Sequence, residues 1–291
     1  MTDSRLTARI KNNKTSLAGA ALVLFFGLVA LFAPVLAPVP AGADPYLTPQ
    51  SGYSPEPELP SREHIFGTTE QQYDVYYGIV WGARTAFKVG LAIVFISALI
   101  GIVLGSVAGY FGGWVDDIIM RITDIVLAFP GIVLAVVIVA MLGPGLSKVM
   151  ISLAAVSWPS YARLVRGDVL SVKERDFVTV SKALGAGHFW ILRKHIIPNS
   201  IYPVIIVASL DIGAMVLTAA SMSFLGLGAP AGYADWGQMI AMSRNWILGS
   251  SGNPAAYWHT VVIPGSAIFL FVLGWNLLGD AFRDILDPRQ Y

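Results

Sequence analysis

Six apolar stretches, at 17–37, 85–109, 125–142, 149–165, 200–224 and 259–279, divide this chain, with polar segments between them. A hydrocarbon core about 30 Å thick takes about 20 apolar residues in helical form. Inside it every backbone polar group must be bonded within the protein, which leaves helices or closed barrels. The stretches do not alternate apolar and polar, so a transmembrane β-barrel is excluded. Charged residues make up only 13% of the chain, against about 25% in soluble domains. The expected fold is therefore all-α: a polytopic membrane protein with six transmembrane helices.

The basic residues set its orientation, because cytoplasmic segments carry the excess of Lys and Arg. Arg5, Arg9, Lys11 and Lys14 precede the first stretch, and Arg121 lies between the second and third. Arg163, Arg166, Lys173, Arg175, Lys182, Arg193 and Lys194 lie at or between the fourth and fifth, and Arg283 and Arg289 follow the sixth. The opposite side has Arg62, Arg84, Lys88, Lys148 and Arg244. Fourteen against five places both termini in the cytoplasm. The expected division is a cytoplasmic tail at 1–16, a first helix at 17–37, an extracellular loop at 38–84, a permeation core at 85–279 and a cytoplasmic tail at 280–291. Within the core, 166–199 is a cytoplasmic loop and 226–258 an extracellular one that lies along the outer surface. The first stretch has a rival reading as a signal peptide cleaved near Ala41-Gly42-Ala43. Its length exceeds an h-region of about 7–15 residues, so it reads as an uncleaved anchor.

The segment 38–66 has no helical or strand period and reads as an irregular loop, or as a contact surface for an external protein. Residues 67–84, with Tyr73, Tyr76, Tyr77 and Trp81, suit a separate interfacial helix at headgroup level. Pro130 and Pro159 are expected to kink the third and fourth spans. The charges Asp280, Arg283, Asp284, Asp287 and Arg289 are spaced as helical neighbours that tie the end of the sixth span to the cytoplasmic loops.

No G-x-x-x-x-G-K-[ST] or H-E-x-x-H occurs, there is no cysteine, and the four His are scattered. Nucleotide binding, a metal site and a catalytic role are not expected, nor is a cofactor or a nucleic-acid partner. The Gly-rich pieces GIVLGSVAGYFGG and LGLGAPAG lie in or beside spans, where glycine permits close helix packing.

The longest basic interruption is KERDFVTVSKALGAGHFWILRKHIIPN at 173–199. Residues 173–184 fit about three helical turns, with Phe177, Val180 and Leu184 on one face. Gly185 and Gly187 can end that helix. A short helix with a small apolar face fits a groove on a soluble partner; it equally fits an anionic lipid surface.

Asp211 is the acid deepest within a span, about 18 Å along the fifth at ~1.5 Å per residue. A carboxylate at that depth faces a partner group or a water-filled cavity. Met215, Thr218 and Met222 share its helical face, which reads as translocation pathway or subunit interface, or as packing against a neighbouring helix.

Several blocks carry a family resemblance: GGWVDDIIMRITDIVLAFPG at 112–131, WPSYARLVRGDVL at 158–170, DFVTVSKALGAGHFWILRKHIIPN at 176–199, SFLGLG at 223–228 and NLLGDAFRDILDPR at 276–289. In this order they resemble the inner-membrane permease subunit of an ATP-binding-cassette importer, in the oligopeptide/dipeptide/nickel group, second ("C") permease. The resemblance implies a second homologous permease, two ATPase subunits and an extracellular or periplasmic substrate-binding protein as partners in the cell membrane. It implies ATP hydrolysis in the partners, and a di- or oligopeptide as cargo, with oligosaccharides or a nickel chelate as alternatives. The 176–199 block matches the family's cytoplasmic EAA loop, which implies ATPase coupling through Asp176, Phe177, Val180, Ala183, Leu184, Gly185 and Ala186. The family's Glu-Ala-Ala stands here as Thr179, Val180 and Ser181, and its external Gly-Arg-Asp as Gln72, Tyr73 and Asp74. The rival classes are a self-contained secondary transporter, which usually shows internal repeats, and a membrane-embedded enzyme, which needs clustered ionisable residues within its spans.

Overall fold

The computed structural model describes residues 14–249, 253 and 255–286. The helices are α1 (Lys14–Leu36), α2 (Val75–Phe111), α3 (Gly113–Leu127), α4 (Gly131–Leu142), α5 (Leu146–Val172), α6 (Asp176–Ala183) and α7 (His188–Ile191). A π-helical turn, Leu192–Ile196, leads to α8 (Ile197–Ser200), then α9 (Tyr202–Phe224), α10 (Trp236–Met242) and α11 (His259–Leu286). Arg5, Arg9, Lys11, Asp287 and Arg289 lie outside the described residues.

Four helices, α1, α2, α9 and α11, are long and apolar enough to cross a bilayer, and a fifth crossing is available if α3 and α4 are taken together. α5 has the length, 27 residues, but it carries Lys148, Arg163, Arg166 and Asp168. One face of it is buried, with Val149, Tyr161, Ala162, Val165 and Val169, while Arg163 and Arg166 pair with Asp124 and Asp116 of α3.

The seam between α2 and α5 organises the bundle. Gly101, Gly105 and Gly109, four residues apart, face Tyr161, Ala162 and Val169 of α5. A Cβ at Gly109 would sit 2.9 Å from the Cβ of Val169, and one at Gly105 would meet the carbonyl oxygen of Ala162. These glycines therefore serve backbone approach, as small residues at that spacing do in membranes.

Three expected boundaries are corrected. The second span and the separate interfacial helix are one helix: α2 starts at Val75, where Asp74 caps it by accepting from the Tyr77 N–H at 2.8 Å. Its 37 residues extend about 55 Å. The third span, 125–142, is not one helix. α3 and α4 meet at 88°, because Pro130 has no N–H to continue α3 and instead precedes the first turn of α4. The last helix runs to Leu286, so 280–286 are helical and continuous with the sixth apolar stretch. Pro159 lies within α5, which continues through it.

The chain sorts its connections to two ends. At one, Trp81 Nε1 donates to the Ala37 carbonyl at 3.0 Å, and the Gly145 N–H to that of Leu227 at 3.0 Å. At the other, Lys173 Nζ donates to the Gly109 carbonyl at 3.0 Å. There too, Gly19 near the start of α1 packs on Leu277 and Leu278 of α11.

The segment 38–74 is irregular, as expected, but it is anchored. Leu47 pairs with Tyr233, the Thr48 N–H donates to the Gly232 carbonyl, and the Ala234 N–H to that of Tyr46, each at 2.8 Å. Tyr46 stacks on Tyr233 at 5.6 Å. Gln72, where the family has glycine, has φ +65°. Its buried side chain donates to the Glu56 carbonyl at 3.2 Å, a contact that offsets the cost of the left-handed backbone. Within 226–258, expected to lie along the outer surface, α10 departs from that course, while Arg244, Asn245, Ile247, Leu248 and Trp258 are exposed. α10 is tucked among α2, α9 and α11. Trp236 is buried against Gly82 of α2 and within 5.8 Å of Phe271 of α11, and Gly237 packs on the backbone of Ala220.

Candidate functional site

The segment after α5 turns out of that helix at Lys173 and forms α6, eight residues rather than the twelve expected. Asp176 in its first turn and Lys182 in its last complement the helix dipole. Its end is a Schellman turn: the Gly185 N–H donates to the Lys182 carbonyl, and the Ala186 N–H to that of Ser181, each at 3.0 Å. Gly185 has φ +84° with nothing near its missing Cβ, so the backbone conformation alone demands glycine.

Val178 is fully buried and joins the cluster that holds Val172, Ile191 and Ile196. On the other side of α6, Phe177, Val180 and Leu184 are 37%, 56% and 83% exposed. Asp176 and Ala183 are exposed beside them, and Ala186 is half-buried against the core. The face expected from the sequence is present and uncovered. Phe189 and Trp190 extend it, at 76% and 50% exposure. They escaped the sequence reading because they follow Gly185 and belong to another helix. A second apolar pair just past the helix-ending glycines was the available signal. Val178 escaped too, since it falls off the three-residue stripe.

Polar contacts fix how this patch is presented. Ser181 Oγ donates to the Phe177 carbonyl at 2.7 Å and shares a hydrogen bond with His195 Nε2 at 3.1 Å. The His195 ring lies 5.6 Å from Phe177 and 4.9 Å from Trp190. Lys182 Nζ stands 5.5 Å over the Tyr110 ring, and the Tyr110 hydroxyl bonds His188 Nδ1 at 2.9 Å. Arg166 forms a bidentate pair with Asp116 of α3 (2.5 and 2.6 Å), and Arg163 pairs with Asp124 at 2.7 Å. The coupling segment is thus tied to the end of α2, and α5 to α3.

The second candidate group lies along α9. Tyr161 of α5 donates to Asp211 Oδ2 at 2.6 Å, and Ser157 of α5 donates to the Met215 sulfur at 3.7 Å. Thr218 Oγ1 donates to the Ala214 carbonyl of its own helix, and Met222 is fully buried. Asp211 and Met215 therefore face α5, and Tyr161 is the partner that the sequence did not reveal.

Comparison with known proteins follows this geometry. The family model described as "Binding-protein-dependent transport system inner membrane component" matches residues 101–290. A second, "N-terminal TM domain of oligopeptide transport permease C", matches residues 5–52. The chain is 42% identical over 282 residues to the dipeptide transport system permease protein DppC of Alkalihalophilus pseudofirmus, covering 97% of this chain and 88% of that one. It is 37% identical over 281 residues to the glutathione transport system permease protein GsiD of Pectobacterium atrosepticum, covering 97% and 89%. To the probable D,D-dipeptide transport system permease protein DdpC of Escherichia coli it is 37% identical over 289 residues, covering 98% and 91%. Its fold resembles a chain in the crystal structure of an amino acid ABC transporter with histidines, at TM-score 0.51 and 17% identity, over 71% of this chain and 93% of that one.

Proposed function

The chain belongs to the family of binding-protein-dependent transport system inner membrane components, and we propose that the cargo it helps to import is a short peptide. It is an inner-membrane permease subunit of an ATP-binding-cassette importer. The cargo reading rests on the relatives, whose names specify a dipeptide, glutathione and a D,D-dipeptide. In this reading the chain supplies half of the pathway, crosses the membrane six times with α5 as one of the crossings, and keeps both termini in the cytoplasm. It works with a second permease, two ATPase subunits and an external binding protein. The hydrolysis of ATP belongs to those partners.

α6 is the coupling element. The observation that carries this is the exposed face of Phe177, Val180 and Leu184 on a helix held from behind by Val178. An uncovered apolar face on an anchored helix suits a protein groove. Movement of the ATPases would then pass through the contacts of Ser181, Lys182 and Lys173 to the ends of α2 and the π-helical turn. Asp211 and Met215, bonded to α5, lie where a shift between α5 and α9 would be felt. We assign them and Thr218 to the pathway or to the interface with the second permease, with Met222 as their buried support.

The test is purification of the tagged chain with its bound subunits and binding protein, reconstituted in lipid. Peptide is expected to stimulate ATP hydrolysis. Leu184→Glu should cut that stimulation at least about tenfold while changing the stability of the chain by no more than ~0.5 kcal/mol, as surface substitutions do. Peptide movement by this chain without ATPase partners would overturn the reading.

A further inference from the structure

We infer that the cleft beside α10 binds the two charged ends of a short peptide, Glu70 taking the ammonium and Arg244 the carboxylate. The inference rests on the peptide reading above and deepens it. The cleft has a volume of about 260 Å³ and is lined by Glu70, Arg244, Asn245, Gln238, Phe224 and Met242, among others. It lies at the end of the bundle that holds the 38–74 segment, where α9 ends at Phe224 and α10 begins its inward course.

Two opposite charges line this one cleft without forming an ion pair with each other, and the ion pairs among the described residues lie elsewhere. Glu70 has a single long contact, from Asn245 Nδ2 at 3.4 Å, so its carboxylate keeps most of its acceptor capacity. Arg244 is exposed, and a guanidinium is matched to a carboxylate by two parallel hydrogen bonds. Gln238, with its amide nitrogen turned toward them, donates to the Ala229 and Ser223 carbonyls at 3.1 Å each. Its amide is spent on the frame. Phe224 and Met242 add apolar surface to the lining. The Asn245–Glu70 contact joins the two segments that line the cleft. The cleft thus has the few convergent polar groups and apolar lining of a ligand site.

The experiment is uptake by the reconstituted transporter with its binding protein, using dialanine, N-acetyl-dialanine, dialanine amide and free alanine. Glu70→Gln is expected to lower uptake of dialanine and its amide about tenfold, the scale of one lost charge-assisted contact, and to leave the smaller uptake of the acetylated peptide where it was. Arg244→Gln should show the mirror pattern, sparing the amide. A fall shared equally by all three peptides would mark a folding or docking defect and overturn the assignment, as would no fall at all. Free alanine competing as well as dialanine would identify an amino acid as the ligand and overturn the peptide claim. If wild type imports none of the peptides, the cargo reading itself fails. If wild type imports dialanine and both variants keep its full preference, the cleft alone fails.

Discussion

The two ends of the bundle are built differently. At the end that holds the 38–74 segment the chain completes itself: an irregular segment of more than thirty residues is bonded to a second loop, and α10 is buried with its capping acid. At the basic end the chain stops short. Among the described residues the Phe177–Val180–Leu184 face of α6 is left uncovered, and Val178 with a few side-chain contacts of Ser181, Lys182 and Lys173 holds the helix in place. An end whose polar and apolar groups are satisfied internally can keep its shape alone. An end that leaves Leu184 and Phe189 uncovered has apolar surface that no described residue covers.

The strongest way to break this comparison is to remove what the two ends share. The α2–α5 seam joins them, and Gly105→Leu would drive a side chain into the Ala162 carbonyl. Overpacking usually costs ~1–3 kcal/mol, and here the obstacle is backbone, which cannot turn aside. Loss of monodisperse protein is expected, with both ends failing together. A normal yield with only the basic end loosened would show that the ends fold independently of the seam.

The end that holds the 38–74 segment can be tested by pH. Asp235 caps α10 by accepting from the Gln238 N–H at 2.8 Å, and burial pushes its carboxyl up to about 6 against a partial counter-effect of its hydrogen bonds. The native state therefore holds a proton that the unfolded chain has released, so stability falls as pH rises from about 4 to about 6. Asn can make the same cap without a charge. Asp235→Asn should flatten that fall and be more stable above pH 6 by up to about 3 kcal/mol, read as melting temperature against pH in detergent. An unchanged profile would mean that α10 is not held by a neutral acid.

What was legible in the sequence follows the same division. Apolar length marked α1, α9 and α11, because lipid acts on each span separately. It misjudged α3 and α4, where a local rule, Pro130 ending a helix, outweighed hydropathy. It also missed the buried course of α10, because Trp236 and Gly237 find their places only against Gly82 and Ala220, more than one hundred and about seventeen residues away in sequence. The apolar face of α6 was legible since it depends on helical spacing alone. Val178, Tyr161 as the partner of Asp211, and the Glu70–Arg244 cleft were not, because each is a meeting of distant segments. The family resemblance supplied order and partners, but it could not say what Ser181 does where the family has alanine.

That substitution gives the smallest and most selective test. Ser181→Ala restores the family's residue and removes the bond to His195 at 3.1 Å. A neutral hydrogen bond contributes ~0.5–1.5 kcal/mol net, and alanine's better helix propensity returns up to ~0.5 kcal/mol of it. The net loss should be about 1 kcal/mol or less. It should be local, because His195 links α6 to the π-helical turn and to the rings of Phe177 and Trp190, and to nothing at the other end. Amide exchange over 188–200 should quicken several-fold while that over 44–50 and 230–236 stays as in wild type. Equal quickening at both regions would mean that the ends are mechanically one body, and that the incompleteness of the basic end is not confined to it.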